Sequence, residues 1–194
     1  MKKLIGCKKF NLAVFISGNG SNLNNLIKYS LKKNSKFKIN LVISNNPKAK
    51  GLNFARKFNI KKKIIKFLKN KKFEREIVTT LKKNDIDFIC LAGFMKILPK
   101  YFIKIYNGKI INIHPSLLPK YKGLNTHKRA LENNEKYSGC TVHYVNNKLD
   151  SGKIILQKKV KIFKNDTEKK LAKRVLKQEH ILFPKALDLA LSNL

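Results

Sequence analysis

Short apolar runs alternate with amphipathic segments over the first half of the chain. The apolar runs predict four strands, at residues 11–17, 37–44, 62–67 and 87–92, of which the third has polar residues among the apolar ones and the fourth is fully buried. Between them the spacing of apolar residues predicts helices, with one over residues 51–58 and another over residues 73–84. Strands that alternate with helices form crossover units, so the sequence predicts an α/β fold with a doubly wound, mostly parallel sheet.

A glycine-containing turn follows the first predicted strand, where residues 18–27 read GNGSNLNNLI. Gly18 and Gly20 permit a tight turn, and Ser21 or Asn22 is a candidate cap for the following helix. The start of a helix presents free amide hydrogens and the positive end of its dipole, which favours a phosphate site. The third glycine of the dinucleotide fingerprint and the Gly-Lys-Ser/Thr of a P-loop are missing, so a plain turn is the alternative.

Two polar residues interrupt the apolar run IINIH at residues 110–114. Asn112 and His114 are two positions apart, so in a strand they project from the same face. The amide is a neutral hydrogen-bond donor, and the imidazole exchanges a proton near neutral pH. Together they can polarise a carbonyl and stabilise the charge that develops on it. The alternative is a structural histidine at a strand end.

The second half of the chain ends in a long predicted helix over residues 167–191, in which Pro184 predicts a kink or break. Before it, residues 123–134 predict a loop and a short helix. Two strands at residues 139–145 and 153–160 predict an antiparallel pair at the sheet edge.

The loop between these two strands carries Asp150, in the sequence LDSG. If this loop folds back over the strand ends, the Asp150 carboxylate pairs with His114 and raises the pKa of the imidazole. An ordinary turn residue is the alternative reading of this aspartate.

The 194 residues show no break in composition, which predicts a single domain over residues 1–194. No apolar run is long enough for a signal peptide or a membrane span, so we expect a cytoplasmic protein with no membrane contact. Cys7, Cys90 and Cys140 are few and widely spaced, which predicts reduced thiols rather than disulfides or a metal cluster.

The net charge of +33 is the strongest signal in the composition, and it raises the possibility of a nucleic-acid partner. Only four of the 44 basic residues are arginines, and the lysines are spread over nearly every segment. Lys, Asn and Ile share codons rich in adenine and thymine, so codon bias explains the charge equally well. The sequence motifs of nucleic-acid-binding folds are missing. We therefore expect small anionic substrates rather than nucleic acid.

Five segments share a pattern with one known family. They are GNGSNL (18–23), LAGFMKIL (91–98), NIHPSLLPKYKGLNTHKRALEN (112–133), VHYVNNKLDSGKIILQKKV (142–160) and RVLKQEH (174–180). In this order they closely resemble the phosphoribosylglycinamide formyltransferase family. The resemblance implies a Rossmann-like formyltransferase fold and transfer of a formyl group from 10-formyltetrahydrofolate to the amine of 5′-phosphoribosylglycinamide, in the third step of purine synthesis.

The resemblance also implies roles for individual residues. Asn112 would hold the formyl oxygen of the donor, His114 would stabilise the oxyanion and transfer protons, and Asp150 would keep His114 charged or relay protons through water. The further implied contacts are Gly20, Ser21 and Asn22 with the substrate phosphate, Glu179 with the ribonucleotide, and the backbone of Met95, Lys96, Ile97 and Leu98 with the folate ring. No metal is expected, and the chain is expected to be a monomer or a weak homodimer.

Some positions depart from the family pattern. Lys122 replaces a usual proline, and Asn125 replaces a usual histidine. Asn70 stands where the family often has an arginine that helps to hold the folate. Lys69 and Lys71 flank it, so we expect lysines to hold the glutamate tail of the folate as point charges.

Three rival functions stay open on the sequence. Methionyl-tRNA formyltransferases share the SLLP block and the trio, but they lack the GNGSN match and normally add a carboxyl-terminal domain, for which 194 residues leave no room. Formyltetrahydrofolate hydrolases usually add an amino-terminal regulatory domain. A basic nucleic-acid-binding module on a decayed enzyme fold is the third rival, and the intact trio of Asn112, His114 and Asp150 argues against it.

Overall fold

The computed structural model describes residues 9–66 and 71–192, with the backbone alone at residues 71 and 72. The strands are β1 (Phe10–Ile16), β2 (Phe37–Ser44), β3 (Lys61–Ile64), β4 (Phe88–Leu91), β5 (Ile110–His114), β6 (Tyr137–Tyr144) and β7 (Ile154–Lys161). The helices are α1 (Ser21–Ser30), α2 (Leu52–Lys57), α3 (Lys71–Lys83), α4 (Lys100–Ile105), α5 (Thr126–Glu132) and α6 (Glu168–Ser192).

The strands form one sheet in the order β3-β2-β1-β4-β5-β6-β7. Strands β1 to β5 pair in parallel, whereas β6 and β7 are antiparallel to their neighbours. The predicted α/β fold, with a mostly parallel sheet and an antiparallel pair at one edge, is confirmed. Because β1 lies between β2 and β4, the order of the strands reverses beside it, and ligands bind at such a point outside the carboxyl ends of the strands.

Alternate side chains of β1 enter two separate layers of the core. Leu12, Val14 and Ile16 pack on one face of the sheet with residues of α1 and α6. On the other face, Ala13 and Phe15 pack with residues of α3 and α4. Full burial of a leucine, isoleucine or phenylalanine contributes roughly 1.5–3 kcal/mol. Burial on both faces explains why the central strands read as continuous apolar runs.

Two predicted helix features are wrong in detail. Helix α1 begins at Ser21, and its N-cap is Gly20 in the left-handed conformation, without a side-chain cap. Asn22 lies inside the first turn rather than at the cap position, and its side-chain amide donates to Glu179. Helix α6 continues through Pro184, so of the predicted kink or break the break is wrong. Buried neighbours such as Phe183 and Leu187 hold this turn against the sheet.

One helix and one strand boundary also differ from the sequence prediction. Helix α4 was not predicted, because its six residues bury only Phe102 and Ile103 and therefore show little periodicity. Strand β3 ends at Ile64, and Phe67, the predicted end, lies outside the described residues. Across the described parts of the chain, no helix is both long enough and apolar enough to cross a lipid bilayer.

Two glycine backbones touch beneath the loop that joins β1 to α1. A Cβ atom on Gly51 would lie 2.9 Å from Gly20 Cα and 2.7 Å from Ile16 Cδ1. The Gly51 amide also donates to Gly18 O at 3.0 Å. The segment before α2 therefore supports the loop from below, and it does so only if residue 51 has no side chain.

We predict that Gly51→Ala lowers the free energy of unfolding by about 1–3 kcal/mol, because the added methyl group overpacks a closed contact. Urea denaturation measures the loss. Gly18→Ala is the matched control, since a Cβ there meets nothing within 4 Å. Equal losses in the two variants would show that the Gly20–Gly51 contact is not tightly packed.

Candidate active site

Strand β5 presents Asn112 and His114 on one face of the sheet. Ile111 and Ile113 pack into the core layer shared with α1 and α6. Because side chains alternate along a strand, Asn112 and His114 project to the opposite face, as the sequence predicted. His114 is buried and Asn112 is half-buried, so both lie at the end of the strand rather than on an open surface.

Asp150 returns from the loop between β6 and β7 to meet His114. Asp150 Oδ2 lies 3.4 Å from His114 Nδ1, and both side chains are nearly buried. The Gly123 amide donates to the same carboxylate oxygen at 2.9 Å. The loop therefore folds back over the strand ends as expected, and Asp150 is more than a turn residue.

A second histidine, His143, joins this cluster, and our sequence reasoning missed it. In the antiparallel pairing of β5 with β6, His143 lies opposite Asn112. Asn112 Nδ2 donates to His143 Nε2 at 3.3 Å, and His143 Nδ1 donates to Tyr144 O at 2.8 Å. His143 Nε2 also lies 3.7 Å from Asp150 Oδ1. The one available signal was a histidine inside the alternating strand GCTVHYV.

The environment of His114 places its proton on Nε2. This nitrogen donates to Tyr121 O at 2.9 Å, because a carbonyl oxygen can only accept. Burial lowers the pKa of His114 below its ordinary value, and it outweighs the Tyr121 carbonyl and the Asp150 carboxylate, which act in the opposite direction. The expected influence of Asp150 therefore has the right sign, but the expected net rise in pKa is wrong.

Asp150 stays ionised despite its burial. Burial alone raises the pKa of this carboxyl, but its contact with the His143 imidazole, the hydrogen bond from the Gly123 amide and the charge that either imidazole carries when protonated lower it below its ordinary value. At neutral pH the site thus holds a carboxylate beside a neutral imidazole. When His114 Nδ1 accepts a proton, the new N–H faces Asp150, which stabilises the positive charge. The pair can take up a proton that a reacting group releases.

Side chains of the antiparallel strands hold the loop that follows β5. Thr141 Oγ1 donates to Ser116 O at 2.6 Å and accepts from the Leu118 amide at 3.1 Å. Farther along the loop, Arg129 Nη1 donates to Lys122 O at 2.7 Å. Lys122, which stands in place of the family's proline, is therefore held by a hydrogen bond from a neighbouring helix.

A second buried polar cluster lies at the start of α1. Asn22 Nδ2 donates to Glu179 Oε2 on α6 at 2.6 Å, and both side chains are buried. Burial raises the pKa of Glu179, although the hydrogen bond from Asn22 opposes the rise. Asn22 Oδ1 is buried, and it has no hydrogen-bond partner among the residues that the structure describes. Buried polar atoms are normally paired, so this oxygen is a candidate acceptor for a ligand donor, beside the backbone of Gly20 and Ser21.

The segment between β4 and α4 lies partly open to solvent. Met95, Lys96 and Ile97 are exposed, whereas Leu98 is buried. The Met95 amide donates to Ser17 Oγ at 2.8 Å. Exposed apolar side chains beside a strand end provide a surface on which a flat ring can stack.

The lysines that the sequence analysis assigned to the glutamate tail of a folate lie outside the described side chains. Lys69 and Asn70 fall in the gap, and only the backbone of Lys71 is described. Within residues 9–66 and 71–192, no group of three or more histidine, cysteine or acidic side chains is placed to hold a metal ion. Cys90 and Cys140 are buried free thiols.

Comparisons with known proteins show which family the chain is similar to. The sequence profile of the family described as formyl transferase matches residues 10–187. Phosphoribosylglycinamide formyltransferase of Escherichia coli (strain K12) is 42% identical over 177 residues, which cover 90% of this chain and 84% of that protein. The human trifunctional purine biosynthetic protein adenosine-3 is 46% identical over 189 residues, 96% of this chain. The chain spans only 19% of the length of that trifunctional relative.

Solved structures with the same fold carry the same description. The crystal structure of phosphoribosylglycinamide formyltransferase from Brucella melitensis matches with a TM-score of 0.90 and 42% identity, covering 94% of this chain and 96% of that one. The enzyme of that name from Anaplasma phagocytophilum matches with a TM-score of 0.89 and 42% identity, covering 95% and 89%.

We predict that Asp150→Asn lowers the pKa of His114 further, because burial remains while the neighbouring negative charge is lost. An NMR titration of the imidazole resonances measures the shift. The matched control is Asp166→Asn, which removes a carboxylate that pairs with Arg174 instead. An unchanged or higher His114 pKa in Asp150→Asn would contradict the assigned contact.

Proposed function

The chain belongs to the formyl transferase family, and within it to the phosphoribosylglycinamide formyltransferases, and on this premise we propose that it formylates the amine of 5′-phosphoribosylglycinamide. The donor we propose is 10-formyltetrahydrofolate, so the products are the formylated ribonucleotide and tetrahydrofolate. One observation carries the proposal: Asp150 meets His114 beside Asn112, at the end of a strand next to the sheet's reversal point.

The start of α1 would bind the phosphorylated substrate. The amides after Gly20 are not used inside the helix, and the positive end of the helix dipole favours a phosphate. The buried pair of Asn22 and Glu179 would then orient the rest of the ribonucleotide, with Asn22 Oδ1 free to accept a hydrogen bond. This arrangement fits a ligand that combines an anion with hydroxyl or amine donors.

The segment from Met95 to Leu98 would bind the folate. The backbone of this segment would supply hydrogen bonds, and the exposed side chains of Met95 and Ile97 offer apolar contact to a ring. The segment follows β4, and in the pairing of β4 with β5 the last residue of β4, Leu91, lies opposite Asn112, so a formyl group carried by the bound folate would lie near Asn112.

Attack of the substrate amine on the formyl carbon forms a carbon–nitrogen bond and places negative charge on the formyl oxygen. An amide nitrogen has two hydrogens, and Asn112 uses one of them on His143. The second is available to the oxyanion. Donors that are already fixed before the reaction stabilise such charge well, because they need no reorganisation.

The same step requires a proton to leave the amine and another to reach the folate nitrogen before the second carbon–nitrogen bond breaks. We assign this transfer to His114 Nδ1, with Asp150 stabilising the imidazolium that forms for a time. The attacking amine must be neutral, so the transfer rate falls at low pH. Holding both reactants in contact supplies much of the remaining acceleration.

The cellular compartment and the oligomeric state are also part of the proposal. Small-molecule substrates of this kind and buried free thiols at Cys90 and Cys140 fit a reducing cytoplasm. A monomer or weak homodimer remains our expectation for the assembly.

A formyl-transfer assay tests the proposed reaction by offering three acceptors with 10-formyltetrahydrofolate: phosphoribosylglycinamide, methionyl-tRNA and water. We expect turnover only with the ribonucleotide. In the same assay, His114→Asn and Asp150→Asn should lower kcat by roughly 10²–10⁴-fold, since each removes part of the proton transfer. Asp166→Asn is the control. Turnover with tRNA or water alone would overturn the substrate, and near-normal rates in both active-site variants would overturn the roles.

We predict that Glu179→Gln stabilises the folded protein at neutral pH but weakens binding of the ribonucleotide. Burial raises the pKa of Glu179 in the folded protein above its value in the unfolded chain. As the pH rises through these two pKa values, the folded protein loses about 1.4 kcal/mol of stability for each pKa unit that separates them. Glutamine removes this cost and still accepts from Asn22.

Urea unfolding at pH 4 and pH 8, together with the KM for the ribonucleotide, measures both effects of Glu179→Gln. The stability gain should be larger at pH 8 than at pH 4, and KM should rise. Glu168→Gln, at an exposed glutamate on the same helix, is the matched control. A variant less stable at pH 8, or an unchanged KM, would contradict the prediction.

A further inference from the structure

Ser17 follows directly after β1, and each of its polar groups binds a loop that follows a neighbouring strand. Its amide donates to Gly93 O at 3.1 Å, and its carbonyl accepts from Asn46 Nδ2 at 3.2 Å. Its hydroxyl donates to Asn45 Oδ1 at 2.5 Å and accepts from the Met95 amide at 2.8 Å. The residue thus joins the loop after β2 to the loop after β4.

The position of Ser17 in the sheet explains this set of contacts. Strand β1 lies between β2 and β4, where the strand order reverses, so the loops that follow the three strands diverge from one point. Helices α1 and α2, which follow β1 and β2, pack on one face of the sheet, whereas α4, which follows β4, packs on the other. The Ser17 hydrogen bonds connect the loops across this division.

Ser17 also connects the two segments that would bind the two substrates, because it directly precedes the Gly18–Asn22 loop and its hydroxyl contacts the segment that begins at Met95. The loop from Gly18 to Asn22, at the start of α1, would hold the phosphate of the ribonucleotide. The Met95 amide, which donates to the Ser17 hydroxyl, belongs to the first residue of the segment that would hold the folate. A displacement of either loop by its ligand therefore acts on the other through one hydroxyl group.

We propose that Ser17 is a positioning residue that couples the binding of the two substrates. The inference rests on the proposed function, because it takes the Gly18–Asn22 loop and the Met95–Leu98 segment as the substrate and donor sites. A ligand that holds the loop on one side in place also holds the Ser17 hydroxyl in place, and its bond to the Met95 amide then keeps the segment on the other side in position for its own ligand. Each substrate then strengthens the binding of the other by the same factor.

Ser17→Ala removes the hydroxyl and leaves the rest of the loop intact. The Met95 amide and Asn45 Oδ1 lose their shared partner, and solvent can replace it because both residues are at least partly exposed. The fold should therefore survive, while the two loops move independently. Asn45→Ala is the second variant, since it removes one contact of the hydroxyl but keeps the one to Met95.

Titration calorimetry with tetrahydrofolate tests the coupling, since this molecule carries no formyl group and cannot react with phosphoribosylglycinamide. The quantity of interest is the ratio of the tetrahydrofolate Kd without the ribonucleotide to the Kd at saturating ribonucleotide. We expect a ratio on the order of tenfold in the unmodified chain. In Ser17→Ala it should fall close to one, in Asn45→Ala it should fall by less, and the Kd of the ribonucleotide alone should stay within about twofold.

The matched control is Ser35→Ala, which removes a buried serine hydroxyl that donates to Phe37 O at the far end of β2. It should leave the ratio unchanged. A ratio near one in the unmodified chain, an unchanged ratio in Ser17→Ala, or an equal loss in Ser35→Ala would overturn the coupling role. Failure of the unmodified chain to bind phosphoribosylglycinamide at all would instead overturn the proposed function, so the two failures are distinct.

Discussion

A buried carboxylate shared by two imidazoles holds the candidate active site together. Asp150 lies within 3.7 Å of His143 and 3.4 Å of His114, and the Gly123 amide fixes its orientation. A buried charge of this kind is costly unless it is paired and hydrogen-bonded. These contacts hold the loop that carries Asp150 over the end of β5. The loop thereby forms the wall of the site on the side of the antiparallel strands.

The reversal of strand order around β1 forms the other side of the site. It brings the loops after β1, β2 and β4 to one edge of the sheet, where Ser17 and the contact between Gly20 and Gly51 fix their relative positions. The chemistry needs a phosphate, an amine and a formyl group within one small volume. The parallel centre supplies the phosphate and folate loops, and the antiparallel edge supplies the group that manages the proton.

Much of this arrangement follows from local patterns in the sequence. Central strands buried on both faces give apolar runs, and alternation along β5 is enough to place Asn112 and His114 on the same face. The contribution of His143 could not be found this way, since it depends on the register between β5 and β6, which are far apart in the chain. The net pKa of His114 depends on how much protein surrounds it, and a sequence does not give that quantity. Ser17 resembled any other residue at a strand end.

The lysine excess has a partial structural explanation. Both edge strands carry exposed lysines, Lys61 to Lys63 on β3 and Lys158, Lys159 and Lys161 on β7. Lysines on an edge strand oppose pairing with another sheet, so these charges protect the two open edges. This reading needs no nucleic acid, and it leaves the basic field free to attract anionic substrates.

A crystal structure of the chain with phosphoribosylglycinamide and a non-transferable analogue of 10-formyltetrahydrofolate would test the central claim most directly. The account predicts the phosphate at the amides of Gly20 to Asn22, the folate ring along Met95 to Leu98, and the formyl-equivalent oxygen within hydrogen-bonding distance of Asn112 Nδ2. A phosphate bound elsewhere, or a formyl-equivalent group remote from both Asn112 and His114, would contradict it.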